Sequence, residues 1–157
     1  MTAGTGAAAT ARTTLLDAGV RAALRAAGAA ARKGLGDPAL AELVQIRASQ
    51  LNHCAFCLDM HLTVAREVGV SERKLDLLEA WEEAGDVFDE RERAALALTE
   101  AVTVPTASGF VPDAVYAAAA ARFDEPRLAH LVGLINVVNS WNRLMVGRRI
   151  PAGSTRW

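Results

Sequence analysis

Residues 37–69 read DPALAELVQIRASQLNHCAFCLDMHLTVAREVG, from Asp37 to Gly69, and this stretch decides what the chain folds into. Asp37 followed by Pro38 is an N-cap and first-turn pair: the short carboxylate satisfies a free backbone amide, and proline has no amide to leave unsatisfied. Leu40, Leu43, Val44 and Ile46 then recur at helical spacing, which predicts a helix of roughly three turns ending between Gln50 and His53. A second helical pattern carries Cys54 and Cys57 and continues through Leu62, Ala65 and Val68. It stops at Gly69, a residue that readily takes the left-handed conformation at a helix end. The two helices are expected to form a hairpin.

The flanking sequence is helical as well. Thr13 to Lys33 is alanine-rich with Leu15, Leu16, Val20 and Leu24 at near-helical spacing, which predicts one or two short helices stopped by Gly34 and Gly36. Ser71 opens a helix through Leu75, Leu77 and Leu78 to about Glu83, and Gly85 breaks it. Asp89 and Glu92 have the spacing of a capping box, followed by the apolar positions Ala95, Leu96, Leu98 and Val102. After a loop from Pro105 to Phe110, Pro112 starts a short helix. Asp124 with Pro126 starts the last long one, whose inward stripe is Leu128, Leu131, Val132, Ile135, Val138 and Met145. No strand-like alternation, repeat or linker interrupts the pattern. The expected fold is all-α: a flexible leader over residues 1–12 and one helical domain over residues 13–157. Leu134, Val137 and Leu144 make the last helix apolar on more than one side, which predicts a homo-oligomer.

Composition agrees. In 157 residues, 52% are hydrophobic but only 5% aromatic, and alanine, the best helix former, supplies much of the apolar fraction. This length buries roughly 70% of the unfolded surface, enough for a core without disulfide staples. Seventeen Lys and Arg against 18 Asp and Glu give a net charge of −1, which argues against a nucleic-acid partner or an anionic membrane surface. The most apolar stretch, Leu128 to Trp141, contains His130, Asn136 and Asn139 and is shorter than the roughly 20 residues of a membrane span. Met1 to Arg12 lacks the apolar centre of a secretory signal. A cytoplasmic location is expected, where two cysteines suggest redox or metal chemistry.

Cys54, Cys57 and His61 are spaced three and four apart, so one helix face would present all of them. Cβ atoms three residues apart lie about 5–6 Å from each other, close enough for a disulfide after modest rotation. The positive end of a helix favours thiolate and can bring a cysteine pKa to roughly 3.5–7.5. His61 could take a thiol proton and return it to a leaving group. Glu42 shares a helix face with Ile46 and is expected to enter the hairpin interface. Burial there should raise its pKa toward that of a general base, and a hydrogen bond to an imidazole would fix the histidine tautomer. A competing reading makes Cys54, Cys57 and His61 zinc ligands with Glu42 or His53 as a fourth, although the chain has no second ligand pair. His53 reads as a loop residue, His130 as a core or interface histidine, and Trp81, Trp141 and Trp157 as packing residues. Asn142 and Arg143 read as structural, bonding backbone or acidic partners at a helix end.

The run from Glu42 to His61, with the first cysteine twelve positions after the glutamate, a CxxC pair and a histidine four residues beyond, resembles the core motif of the AhpD-like alkylhydroperoxidases of the carboxymuconolactone decarboxylase superfamily. Asn136, Asn139, Trp141, Asn142 and Arg143 resemble its closing motif. The resemblance implies an oligomeric all-helical fold and a thiol-dependent peroxidase that requires no metal, haem or flavin. By that similarity Cys57 attacks a hydroperoxide, Cys54 resolves the sulfenic acid to a disulfide, and Glu42 and His61 relay the proton. A cellular dithiol, a lipoyl protein or a thioredoxin-like protein, would regenerate the pair. Helix-end electrostatics alone would favour Cys54 as the more acidic thiol; only Cys57 has a histidine one turn along its face. Some family members carry a histidine before the second cysteine, where this chain has Phe56, which suggests a slower peroxidase or one suited to bulkier apolar hydroperoxides. A pocket near Cys57 is expected to be lined by Phe56, Leu58, Ile46 and the last helix. Lactone-acid decarboxylation and a non-enzymatic dithiol redox sensor are the alternative functions.

Overall fold

The computed structural model describes residues 10–105 and 109–157. Most of the expected leader, residues 1–9, and residues 106–108 of the loop after Pro105 fall outside the described residues. The chain forms α1 (Ala18–Leu35), α2 (Pro38–Leu51), α3 (Ala55–Glu67), α4 (Glu72–Leu77) running into a 3₁₀ segment (Leu78–Glu83), α5 (Glu90–Thr103), α6 (Asp113–Ala120) and α7 (Glu125–Gly147). The described residues contain no strand.

Local chemistry sets the boundaries. Asp37, Asp89 and Asp124 each accept a backbone amide as N-cap, from Leu40, Glu92 and Arg127. The capping box is complete, because the Glu92 carboxylate also accepts the Asp89 amide at 2.9 Å. The segment forms one helix that ends at left-handed Gly36, as expected; the correction is that α1 is long and runs through Gly34 without stopping there. Gly34 has a different role, since a Cβ there would lie 2.1 Å from the His130 ring on α7 and displace it. The helix expected from Ser71 to Glu83 is likewise broken, with non-helical backbone at Ala80.

The core is built around α2. Every residue from Leu40 to Ile46 is buried, because α2 packs against α3, α5 and α7 together. One cluster joins Leu35, Leu40, Val44, Leu98, Leu131 and Ile135. A second joins Leu43, Ile46, Ala65, Leu75, Leu78, Trp81 and Leu96. The second apolar side of α7 finds a partner within the chain: α1 lies along it, with Ala31 and Leu35 in the same cluster as Leu131 and Leu134. Several of the apolar residues that suggested an oligomer are thus covered by α1. Among the described residues no helix is long and apolar enough to cross a membrane.

Candidate functional site

A helix buried on all sides cannot carry a charge without partners, because an unpaired ion in the interior costs several kcal/mol. Glu42 has no exposed surface, and three donors meet its carboxylate. His61 Nδ1 lies 2.7 Å from Oε2, Gln45 Nε2 donates to Oε1 at 3.2 Å, and the Arg32 guanidinium of α1 also donates to Oε1. Arg32 additionally donates to Gln45 Oε1 at 3.0 Å, closing a triangle over the carboxylate.

These contacts correct the expected electrostatics of Glu42. Burial pushes its carboxyl up, but the His61 hydrogen bond, the charge of His61 and the Arg32 guanidinium together outweigh it and hold the carboxyl below its ordinary value. Glu42 is therefore an ionised acceptor at neutral pH. An ionised carboxylate can only accept, so Nδ1 of His61 carries a proton and Nε2 is the ring atom free to take one up.

Cys54 and Cys57 are joined as a disulfide, with Cα atoms 5.3 Å apart. Cys54 is not inside the helix as the spacing suggested; it is the N-cap of α3, in extended conformation, and its sulfur accepts the Cys57 amide at 3.3 Å. Both cysteines and His61 are buried. The α2–α3 corner that sets the cysteines is tied to α7 by side-chain amides. Asn52 donates to Asn139 and Asn142 at 2.8 and 2.9 Å, and Asn142 donates to Ser49 at 2.9 Å. Arg143 donates to the Asn139 side chain at 2.8 Å. Arg143 also donates to the Asn139 carbonyl at 3.2 Å, the backbone partner expected of it, whereas Asn142, well within the helix, binds side chains; among the described residues neither meets an acidic group.

Cys57 and His61 both line a cavity of about 330 Å³ between α1, α3 and α7, with Phe56, Leu24, Val137 and Met145 among its walls. Ile46 and Leu58, expected there, pack into the separate cluster around Leu43 and Leu78. Trp141 and Trp157 do more than pack, since both line this cavity, their rings meeting edge to face at 5.8 Å. Phe56 lies against Trp157, with ring centroids 5.5 Å apart. His53 is exposed at the corner and does not line the Cys57 cavity; Trp81 and His130 also lie outside it. The zinc reading finds no geometry: the two sulfurs are bonded to each other, Glu42 is engaged by Arg32, and among the described residues no group of three or more His, Cys, Asp or Glu side chains is arranged to hold a metal ion.

The sequence reading missed Arg32 and Gln45. Gln45 stands three residues after Glu42 on the same helix face, a signal the spacing contained. Arg32 has none, because it reaches Glu42 from a different helix.

A family model described as "Carboxymuconolactone decarboxylase family" matches residues 18–101, the segment holding Arg32, Glu42, both cysteines and His61. The chain belongs to the carboxymuconolactone decarboxylase family. It is 44% identical over 113 residues to the uncharacterized protein YdfG of Bacillus subtilis (strain 168), covering 72% of this chain and 76% of that one. It is 36% identical over 119 residues to the uncharacterized protein YnjA of Escherichia coli (strain K12), covering 74% of this chain and 62% of that one. The fold is similar to the crystal structure of ATU0492, a protein of unknown function from Agrobacterium tumefaciens described as a candidate antioxidant defence protein AhpD. The TM-score is 0.84 at 30% identity, over 92% of this chain and 99% of that one. The family member in hand thus has the AhpD-like all-α fold, with a CxxC pair.

Proposed function

We propose that this family member is a thiol-dependent peroxidase that reduces organic hydroperoxides through Cys54 and Cys57. The observation that carries the reading is that Cys57 and His61 open onto one cavity while a buried, ionised Glu42 holds Nδ1 of His61. In the reduced protein, Nε2 of His61 takes the Cys57 proton. The Cys57 thiolate attacks the terminal peroxide oxygen, the O–O bond breaks, and the alkoxide leaves with the proton returned by His61. This gives an alcohol and a Cys57 sulfenic acid. The Cys54 thiol then attacks the Cys57 sulfur, releasing water and forming the disulfide. A dithiol reductant, such as a lipoyl or thioredoxin-like protein, returns the pair to its reduced form.

Cys57 is favoured as the attacking sulfur because it shares a cavity with the base; Cys54 lines a different space. The aromatic and aliphatic walls favour an apolar organic hydroperoxide. The test is steady-state consumption of cumene hydroperoxide with dihydrolipoamide as donor. Saturable turnover that falls about 10²-fold or more in His61→Ala supports the reading. Oxidation of one dithiol per chain with no further turnover contradicts it and favours a redox sensor.

A further inference from the structure

The two sulfurs of the disulfide, both buried, open onto different spaces. Cys57 faces the cavity it shares with His61. Cys54 faces a second cleft of about 300 Å³, walled by His53 and Ala55 from the α2–α3 corner and by Val146, Arg149 and Ile150 from the end of α7. Met145 lines both.

The two corners of the second cleft are built alike. The Cys54 amide donates to the Ser49 carbonyl at 3.0 Å and the Ile150 amide to the Met145 carbonyl at 3.1 Å. Each bond forces the preceding residue into left-handed conformation, a position glycine ordinarily fills. Here the residues are His53 at φ 55° and Arg149 at φ 57°. Both are exposed, so neither side chain recovers that strain by packing. Among the described residues Arg149 has no carboxylate partner. The cleft beside Cys54 therefore offers an uncompensated cation next to a buried disulfide sulfur.

We propose that this cleft admits the reductant: a dithiol bearing negative charge, held by Arg149, attacks the Cys54 sulfur. The proposal rests on the reading that the pair cycles between dithiol and disulfide, whatever oxidant forms the disulfide. The attacking thiolate bonds to Cys54 Sγ, the Cys54–Cys57 bond breaks, and its electron pair leaves on Cys57 Sγ as a thiolate. The reductant's second thiol, deprotonated, then attacks its own sulfur in the mixed disulfide, closing an internal disulfide and releasing Cys54. The reductant loses two electrons and two protons; the cysteine pair gains both, the protons passing through solvent and His61. The direction has a chemical reason. Attack at Cys54 expels Cys57 Sγ into the cavity it shares with His61, whose imidazole can return a proton to the departing thiolate. Attack from the other side would expel Cys54, which does not face the histidine. Separate entrances also let peroxide and reductant reach the pair without competing for one cavity.

Two measurements on the full chain test this. Oxidised protein is treated with excess mercaptosuccinate, an anionic alkyl monothiol, and quenched with N-ethylmaleimide, and the mixed disulfide and the alkylated cysteine are localised by fragmentation mass spectrometry. The adduct is expected on Cys54; an adduct on Cys57 overturns the proposal. Reduction rates are then compared for dihydrolipoate and dihydrolipoamide, which share one dithiol and differ in charge. At low ionic strength the anionic donor is expected to be about tenfold faster with the native chain. The ratio should fall to that of free disulfide controls in Arg149→Gly, whose backbone accepts the same φ, and survive in Arg149→Lys. A ratio unchanged by Arg149→Gly overturns the role of Arg149. If both results hold while no hydroperoxide is turned over, the peroxidase reading fails and this one stands.

Discussion

At the scale of single residues, Glu42 links the stability of the core to the chemistry of the site. Its carboxyl is held below its ordinary value of 4.5, so its stabilising contribution is complete above that pH and is lost as pH falls through the depressed folded value. Glu42→Gln should cost about 3 kcal/mol at neutral pH, within the range for breaking a buried ion pair. In thermal unfolding, the gap between native chain and variant should narrow as pH falls below 4.5. A gap that does not narrow below pH 4.5 would contradict the assignment of an ionised Glu42. The same variant should slow Cys57 oxidation about 10²-fold, because the amide can donate to Nδ1 and allow the wrong tautomer. Arg32 makes a weaker prediction, since its side chain is 39% exposed and water can partly replace it. Arg32→Ala should cost about 1–2 kcal/mol by denaturant unfolding, less than Glu42→Gln.

At the scale of elements, the close approach of α1 and α7 depends on Gly34. Gly34→Ala places a methyl 2.1 Å from the imidazole of His130, which must move. A loss of about 1–3 kcal/mol in chemical denaturation is expected. His130→Ala should relieve most of it, and additive losses would contradict the contact. Asp37 caps α2 through Leu40 and also pairs with Arg91 at 2.6 Å, so Asp37→Ala should cost about 1–2 kcal/mol. These cases show what was legible. The aspartate caps were readable because their partners lie within one turn, and the inward stripe of α7 because its residues repeat at helical spacing. Gly34 was misread as a stop because its reason, His130, is remote in sequence. The catalytic candidates divide in the same way. Cys54, Cys57 and His61 were brought together by spacing within seven positions, whereas Arg32 belongs to another helix and left no local trace. Glu42 was placed correctly in the interface, but its charge state was not: the reading counted burial without the guanidinium that offsets it.

At the scale of the whole molecule, α1 serves as the missing partner of α7, and the cavity beside Cys57 exists because small residues let these helices meet. A Cβ added at Gly28 would meet Val137 Cγ1 at 3.4 Å, so a larger residue there would narrow the cavity that both line. Assembly remains an expectation, now shifted away from the covered side of α7 toward apolar surface that the chain leaves exposed: Leu15 at 62%, Val20 at 48% and Tyr116 at 56%. We expect sedimentation at micromolar concentration to give the mass of a dimer or larger, and the mass of one chain would contradict that expectation. The measurement that bears most directly on the central claim is a mass-spectrometric count of free thiols in the reduced protein before and after one equivalent of cumene hydroperoxide. It is paired with sulfenic-acid trapping in Cys54→Ser. The account predicts loss of both thiols as one intramolecular disulfide and a trapped sulfenic acid on Cys57. Two thiols that survive the peroxide, or a sulfenic acid that forms only on Cys54 in Cys57→Ser, would contradict it.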